Sequence, residues 1–124
     1  MKKNILVIED DLSNSLLMRK ILTSEDINVD VVSDAISGWE KLKSNHYDAF
    51  IVDLNLPFGQ NGFEFVSRLR TIEEYKKVPV IAITAYVGVF TREECLEKGF
   101  DYYFSKPFEV KSFEKTVRKF LNKE

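Results

Sequence analysis

Short apolar runs alternate with longer amphipathic stretches along the whole chain, and this alternation restricts the folds that it can adopt. The runs are almost continuously apolar, which is typical of strands covered on both faces of a sheet. The run at 29–32 contains an aspartate and is therefore predicted to lie at a sheet edge. The five predicted strands span residues 5–8, 29–32, 49–52, 80–83 and 102–104.

The stretches that follow the runs have the apolar spacing of amphipathic helices. Asp34 is predicted to cap the second helix, and Thr91 begins a capping-box pattern at the fourth. Gly62 opens the third helix, and Gly99 is a natural end for the fourth. The apolar positions predicted to face the core are Leu16, Leu17, Ile21 and Leu22 in the first helix, Ile36, Trp39 and Leu42 in the second, Phe63, Val66, Leu69 and Ile72 in the third, and Val110, Phe113, Val117, Phe120 and Leu121 in the last.

This order of elements predicts an α/β fold with a mostly parallel sheet and helices on both faces. With 124 residues and no linker-like segment, the chain is predicted to form one domain over residues 1–124.

The net charge of −2 favours neither nucleic acid nor an anionic membrane as a partner. No apolar run approaches the length of about 20 residues that a membrane span requires. One cysteine, Cys95, and one histidine, His46, exclude an internal disulfide and a metal site built from these residue types. These features are typical of a soluble, cytoplasmic domain.

Polar side chains gather where the predicted strands end. Glu9 and Asp10 follow the first strand, and Asp53 follows the third. Thr84 ends the fourth strand, and Lys106 follows the fifth. In an open parallel sheet the carboxyl ends of the strands form one rim, so these groups are expected to lie close together there.

The acids predict a site for a cation. If the first and third strands are neighbours, Asp10 and Asp53 lie close together with Glu9 beside them, and their charges repel. Carboxylate oxygens are ligands that suit Mg²⁺. An aspartate can accept a phosphoryl group, and Lys106 and the metal would offset the charge on the transferring oxygens. The acids also argue against a nucleotide-phosphate loop after the first strand, which needs glycines and backbone N–H groups.

Taken together, these residues resemble the response-regulator receiver domains of two-component signalling, over essentially the whole chain. The resemblance implies a flavodoxin-like, doubly wound fold of five strand–helix units, with strand order 2-1-3-4-5. One feature departs from the family pattern. The segment from Pro57 to Gly62 is one residue longer than usual, with Asn61 before the glycine, which puts the shape of that part of the rim in question.

The resemblance assigns Asp53 as the phosphoacceptor. It implies an Mg²⁺ ion held by Asp10, by Asp53 and by the backbone carbonyl of Asn55, with Glu9 acting through water. Asp11 falls one place beyond the acidic pair and is expected outside the direct ligands.

The resemblance also assigns a switch. Thr84 matches a hydroxyl that turns toward the phosphoryl group, and Lys106 matches a lysine that pairs with a phosphoryl oxygen. Tyr103 matches an aromatic residue that swings inward when the hydroxyl moves. The bond between Lys106 and Pro107 matches one that is cis in the family.

The implied function is Mg²⁺-dependent phosphorylation of Asp53 by a histidine kinase or histidine phosphotransfer protein. Phosphorylation would change the face made by the fourth helix, fifth strand and fifth helix, to which a downstream protein binds, with no direct nucleic-acid contact. Such a domain catalyses only its own phosphorylation and dephosphorylation. We expect a stand-alone receiver. The alternatives are a receiver cut from a larger regulator or hybrid histidine kinase, a phosphatase or phosphotransferase that uses an aspartyl-phosphate, and a constitutive binding domain that is not phosphorylated.

Overall fold

A computed structural model of the protein describes residues 2–56, 61–85 and 92–122. The predicted cap at Thr91 and the loop residues 57–60 lie outside these ranges. The strands are β1 (Lys3–Ile8), β2 (Ile27–Val32), β3 (Ala49–Asp53), β4 (Val80–Thr84) and β5 (Tyr102–Ser105). The helices are α1 (Leu12–Leu22), α2 (Ala35–Leu42), α3 (Gly62–Leu69), α4 (Arg92–Glu97) and α5 (Val110–Leu121), with a short 3₁₀ helix at Glu73–Tyr75.

All five strands pair in parallel in the order β2-β1-β3-β4-β5, so the predicted fold class and strand order are confirmed. The aspartate-containing strand β2 lies at an edge, as predicted. The strands extend further than the apolar runs, because Asp53 and Thr84 are themselves the last residues of β3 and β4. The neighbouring strands β1 and β3 pair up to Ile8 and Val52, which brings the residues after β1 beside Asp53.

The sheet is buried on both faces. Alternate residues of the strands enter two separate core clusters, with Leu6 and Ile8 on one side and Ile5 and Val7 on the other. The first cluster includes buried residues of α2, α3 and α4, and the second includes buried residues of α1 and α5. Coverage of both faces explains why the strands read as continuous apolar runs rather than as alternating ones. Among the described residues, no helix is both long and apolar enough to cross a bilayer.

The predicted apolar face of α1 is wrong at two positions. Leu16 is 58% exposed and Leu17 is 39% exposed, whereas the predicted Leu22 is buried and the predicted Ile21 packs against the core. Ser15 and Met18, which were not predicted, are also buried. The helix has apolar residues on several sides, so periodicity alone did not fix which side packs on the sheet. The Ser15 hydroxyl donates to the carbonyls of Glu9 and Asp11, at 3.1 and 2.9 Å, and these bonds turn the Ser15 side of the helix inward.

In α2 the predicted core position Ile36 is also wrong, since its side chain is 61% exposed. Ala35 and Gly38 face the core instead. A Cβ atom on Gly38 would lie 2.9 Å from Cδ1 of Ile8, so this helix packs on the sheet through its smallest residues. In α5, Val110 is 41% exposed, while Phe113, Val117 and Leu121 are buried as predicted.

The helix ends follow the capping residues. Asp34 accepts a hydrogen bond from the backbone N–H of Ser37 at 2.7 Å, which confirms the predicted cap of α2. Asn61 caps α3 in the same way, through the backbone N–H of Glu64. Gly99 follows α4 with a φ of 111°, a conformation that favours glycine, and so confirms the predicted stop.

Arg70 ties together the chain segments at the amino end of the sheet. Its guanidinium donates to the carbonyls of Val78 at 2.6 Å and of Gly99 at 2.7 Å, and to the carboxylate of Asp101 at 3.0 Å. Asp101 in turn accepts from the backbone N–H of Val80, at the start of β4. One planar cation therefore joins the end of α3 to the starts of β4 and β5.

The substitution Arg70→Lys is expected to lower the free energy of unfolding by about 2 kcal/mol. A lysine ammonium cannot reproduce the planar set of N–H donors of the guanidinium, so part-buried carbonyl oxygens would lose their hydrogen-bond donors. Urea unfolding measures this loss. The exposed Arg19→Lys on α1 is the matched control and should leave the midpoint nearly unchanged. Equal losses in the two variants would contradict the role given to Arg70.

Candidate functional site

A polar cavity of about 520 Å³ opens at the carboxyl ends of β1, β3, β4 and β5. Parallel strands bring their carboxyl ends to one edge of the sheet, so residues distant in sequence meet there. The cavity is lined by Glu9, Asp10, Asp11, Leu12, Asn14, Asp53, Asn55, Ala85 and Lys106.

Three acids converge in this cavity. Glu9, Asp10 and Asp53 each offer a carboxylate oxygen, and the three oxygens lie within 4.8 Å of one another. Glu9 and Asp53 are only 1% and 4% exposed, while Asp10 is exposed. Asp11 contributes no oxygen to this group. Its carboxylate instead caps α1 by accepting from the backbone N–H of Asn14.

Lys106 lies between the two buried acids. Its ammonium nitrogen is 2.5 Å from Oε1 of Glu9 and 3.0 Å from Oδ2 of Asp53. The backbone N–H of Lys106 donates to the carbonyl of Thr84 at 2.7 Å, which fixes the start of this segment against β4. The bond between Lys106 and Pro107 is cis, as the resemblance implied.

Burial and charge shift the proton affinities in this cluster. The pKa of Glu9 is raised to about 7, chiefly by burial and in part by the nearby Asp53 carboxylate, against the opposing effects of Lys106 and of the Asp11 N–H. Burial alone would lower the pKa of Lys106, but its hydrogen bonds to Glu9 and Asp53 outweigh burial and raise it. The ammonium is therefore held in its charged form, and the Glu9 carboxyl binds a proton more readily than an exposed glutamate does.

Asn55 connects Asp53 with Thr84. Its backbone N–H donates to Oδ1 of Asp53 at 2.9 Å, and its side-chain amide donates to the Thr84 hydroxyl at 3.2 Å. Thr84 is fully buried at the end of β4. The predicted residues Glu9, Asp10, Asp53, Asn55, Thr84 and Lys106 are thus all brought together at one rim.

Tyr103 lies apart from this cavity, in the middle of β5. It is half-buried and pairs in register with Ala82 of β4. Its ring packs against the core cluster on the α2–α3 side of the sheet, and burial raises the pKa of its hydroxyl. An inward swing of this ring would therefore be a movement beside the site rather than within it.

Two residues that support the site were missed from the sequence. Ser15 binds the carbonyl of Glu9, and the signal for it was a serine four residues after the helix cap Asp11, where its hydroxyl can reach back to the turn. Gly62 was interpreted as the start of a helix and as the end of the lengthened segment after Pro57, but not as a point of close packing. A Cβ atom there would lie 2.8 Å from the carbonyl oxygen of Asp53 and 3.1 Å from Cα of Leu54, so glycine allows α3 to approach the end of β3.

Solved structures share this fold over nearly the whole chain. The chemotaxis response regulator CheY4 of Vibrio cholerae superposes with a TM-score of 0.86 at 24% identity, covering 97% of this chain and 99% of that one. The receiver domain of sensor histidine kinase PA1611 from Pseudomonas aeruginosa has a TM-score of 0.85 at 28% identity, covering 99% of this chain and all of its own. That structure has a magnesium ion coordinated in its active site cleft.

Similarity in sequence is equally extensive. The response regulator ArlR of Staphylococcus haemolyticus is 33% identical over 98% of this chain and 53% of its own length. ArlR of Staphylococcus aureus is 32% identical over 97% of this chain and 53% of its own. The chain therefore spans about half the length of these relatives. The family model of the response regulator receiver domain matches residues 5–118, and the chain accordingly belongs to that family.

Proposed function

We propose that the chain is a signalling module that is switched by phosphorylation of Asp53. The observation that best supports this is the position of the Asp53 carboxylate, 4% exposed, beside the two acids and 3.0 Å from the ammonium of Lys106. A carboxylate oxygen of Asp53 attacks the phosphorus of a phosphohistidine, so that a P–O bond forms and the P–N bond breaks. The donor is a histidine kinase or a histidine phosphotransfer protein.

The donor atoms at the rim fit Mg²⁺. Asp10, Asp53 and the backbone carbonyl of Asn55 would hold the ion directly, with Glu9 acting through water, and all of these atoms are the hard oxygens that Mg²⁺ prefers. When all groups are ionised, three carboxylates against one ammonium leave an excess of two negative charges, which a divalent cation balances. Bound Mg²⁺ supplies positive charge for the transferring phosphoryl oxygens.

Lys106 and Thr84 transmit the change. A phosphoryl group adds close to two negative charges at Asp53, which attract the ammonium and the hydroxyl to the new oxygens. Movement of Thr84 draws Tyr103 inward and alters the surface formed by α4, β5 and α5, here called the output face, to which the downstream protein binds. The module is thus a two-state element biased by one local charge.

In this proposal the chemistry is modification of the domain itself, followed by hydrolysis of its own aspartyl-phosphate, without a separate substrate. We propose no direct contact with nucleic acid. The expectation of one domain that works alone stays a prediction, since the ArlR proteins are about twice as long as the matched segment.

The substitution Asp53→Asn is expected to abolish Mg²⁺-dependent labelling by acetyl phosphate or by a phosphohistidine donor, because an amide oxygen is not a competent nucleophile here. Intact-mass measurement and acid-lability of the label test this. The exposed Asp26→Asn is the matched control and should be labelled like the wild type. Full labelling of Asp53→Asn would refute the assignment.

The raised pKa of Glu9 predicts a pH-dependent stability in the absence of metal. Between pH 4.5 and about 7 the folded protein retains a proton that the unfolded chain has released, so this group's contribution to stability falls as the pH rises through that window. The difference in free energy of unfolding between Glu9→Gln and wild type should therefore shift in favour of the variant with rising pH. Urea titrations with EDTA at several pH values measure it.

Two controls belong to that experiment. Saturating Mg²⁺ should reduce the pH dependence, because the cation stabilises the ionised acids. The exposed Glu25→Gln should show the same pH profile as the wild type. If the difference in free energy of unfolding between wild type and Glu9→Gln does not change with pH, the pKa of Glu9 is not raised in the folded protein.

The substitution Lys106→Met is expected to leave Mg²⁺ binding intact but to disconnect the acceptor from the output face, since methionine retains the apolar stem and removes the ammonium. With Mg²⁺ and beryllofluoride, the ring resonances of Tyr103 should shift in the wild type and in the exposed control Lys20→Met. They should stay near their ligand-free positions in Lys106→Met. Equal Tyr103 shifts in all three proteins would exclude Lys106 from the switch.

A further inference from the structure

Asn55 links the carboxyl ends of β3 and β4, where Asp53 and Thr84 of the proposed switch lie. Asn55 follows β3, and its backbone forms an antiparallel bridge with Asn61 at the start of α3. Its backbone N–H donates to Asp53, and its side-chain amide donates to the Thr84 hydroxyl at the end of β4, at 3.2 Å. The residue is therefore attached to the acceptor, to the switch hydroxyl and to the following helix.

The direction of the bond to Thr84 matters. An amide NH₂ group only donates, so the Thr84 oxygen uses one of its lone pairs to accept. A hydroxyl has a single proton, and in this arrangement that proton points to an acceptor other than Asn55. Phosphoryl oxygens are strong acceptors. The Asn55 amide therefore maintains Thr84 in the donor role that a phosphoryl group on Asp53 requires.

We propose that Asn55 is a positioning residue, whose side-chain amide orients the Thr84 hydroxyl and thereby sets how strongly phosphorylation of Asp53 engages the switch. This inference rests on the proposed function, because it assigns a role within the same site. It concerns the side chain of Asn55, while the backbone carbonyl of the same residue is the group assigned to Mg²⁺. Side-chain variants therefore separate the two roles.

Asn55→Asp is the sharpest variant, since it has the same shape but can only accept when it is ionised. The Thr84 proton would then point to residue 55 and be lost to the phosphoryl group. Asn55→Ala removes the contact altogether. Asn14→Asp is the matched control, because it adds the same charge to the same cavity from α1.

The first measurement is the side-chain torsion of Thr84 in the protein without phosphoryl analogue, taken from three-bond couplings to its γ-methyl carbon. One rotamer is expected in the wild type and in Asn14→Asp, and averaged couplings in Asn55→Ala. Wild-type couplings in Asn55→Ala would overturn the inference.

The second measurement is the affinity for beryllofluoride in the presence of Mg²⁺. Asn55→Asp should bind about tenfold more weakly than Asn14→Asp, since a hydrogen bond to a charged group is lost. In a Thr84→Val background the two variants should bind alike, because no hydroxyl remains to be oriented. The same tenfold gap in that background would refute the inference, as a merely structural effect does not need the hydroxyl.

The outcomes distinguish the inference from the proposed function. If the wild type binds beryllofluoride and the Thr84 couplings do not respond to residue 55, only the role of Asn55 fails. If the wild type binds no beryllofluoride and Asp53 takes no label, the proposed function fails, and the role of Asn55 fails with it.

Discussion

The ammonium of Lys106 contacts both Glu9 and Asp53 and so offsets the repulsion between these two carboxylates at the carboxyl end of the sheet. Carboxylate oxygens within 4.8 Å of one another repel by at least about 3 kcal/mol at an effective dielectric constant near 20. The parallel pairing of β1 with β3 imposes this proximity, so the fold itself creates the repulsion. The ammonium offsets part of it, and the remainder makes the rim receptive to a divalent cation and responsive to any new charge on Asp53.

The opposite end of the sheet is built in another way. There Arg70 joins the end of α3 to the starts of β4 and β5 through backbone carbonyls and Asp101. These bonds involve one permanently charged group, whereas the carboxyl rim depends on several charges that compete with one another. Thr84 and Lys106 lie at the carboxyl ends of β4 and β5, the two strands whose amino ends Arg70 joins.

Much of the fold could be predicted from the sequence, because strands covered on both faces read as apolar runs and because the polar residues follow those runs directly. The helix faces were harder. In α1 the burial of Ser15 and the exposure of Leu16 depend on hydrogen bonds to the turn after β1, and hydrophobic periodicity has no information about them. The exposure of Ile36 likewise follows from the close approach of Gly38 to Ile8, which exists only once α2 packs on the sheet.

The candidate site shows the same division. The sequence predicted which polar residues follow the strands and that they lie close together, since a parallel sheet brings the carboxyl ends of its strands to one edge. The individual bonds were not, because the contact of Lys106 with Glu9 and that of Asn55 with Thr84 depend on side-chain torsions that a sequence does not encode locally. The resemblance thus named residues that the structure brings together, and the structure added their hydrogen-bonding partners, while the roles of these residues stay a proposal.

Gly62 places a limit on how this chain can vary. Helix α3 approaches β3 so closely that a methyl group at this position would lie 2.8 Å from the Asp53 carbonyl oxygen. Two of the three nearest neighbours, the Asp53 carbonyl oxygen and Cα of Leu54, are backbone atoms, which cannot turn aside as the end of a flexible side chain can. The conformation of residues 53–55 therefore depends on the absence of a side chain at Gly62, the residue directly after Asn61, which bridges to Asn55. At the glycine itself the space admits no side chain.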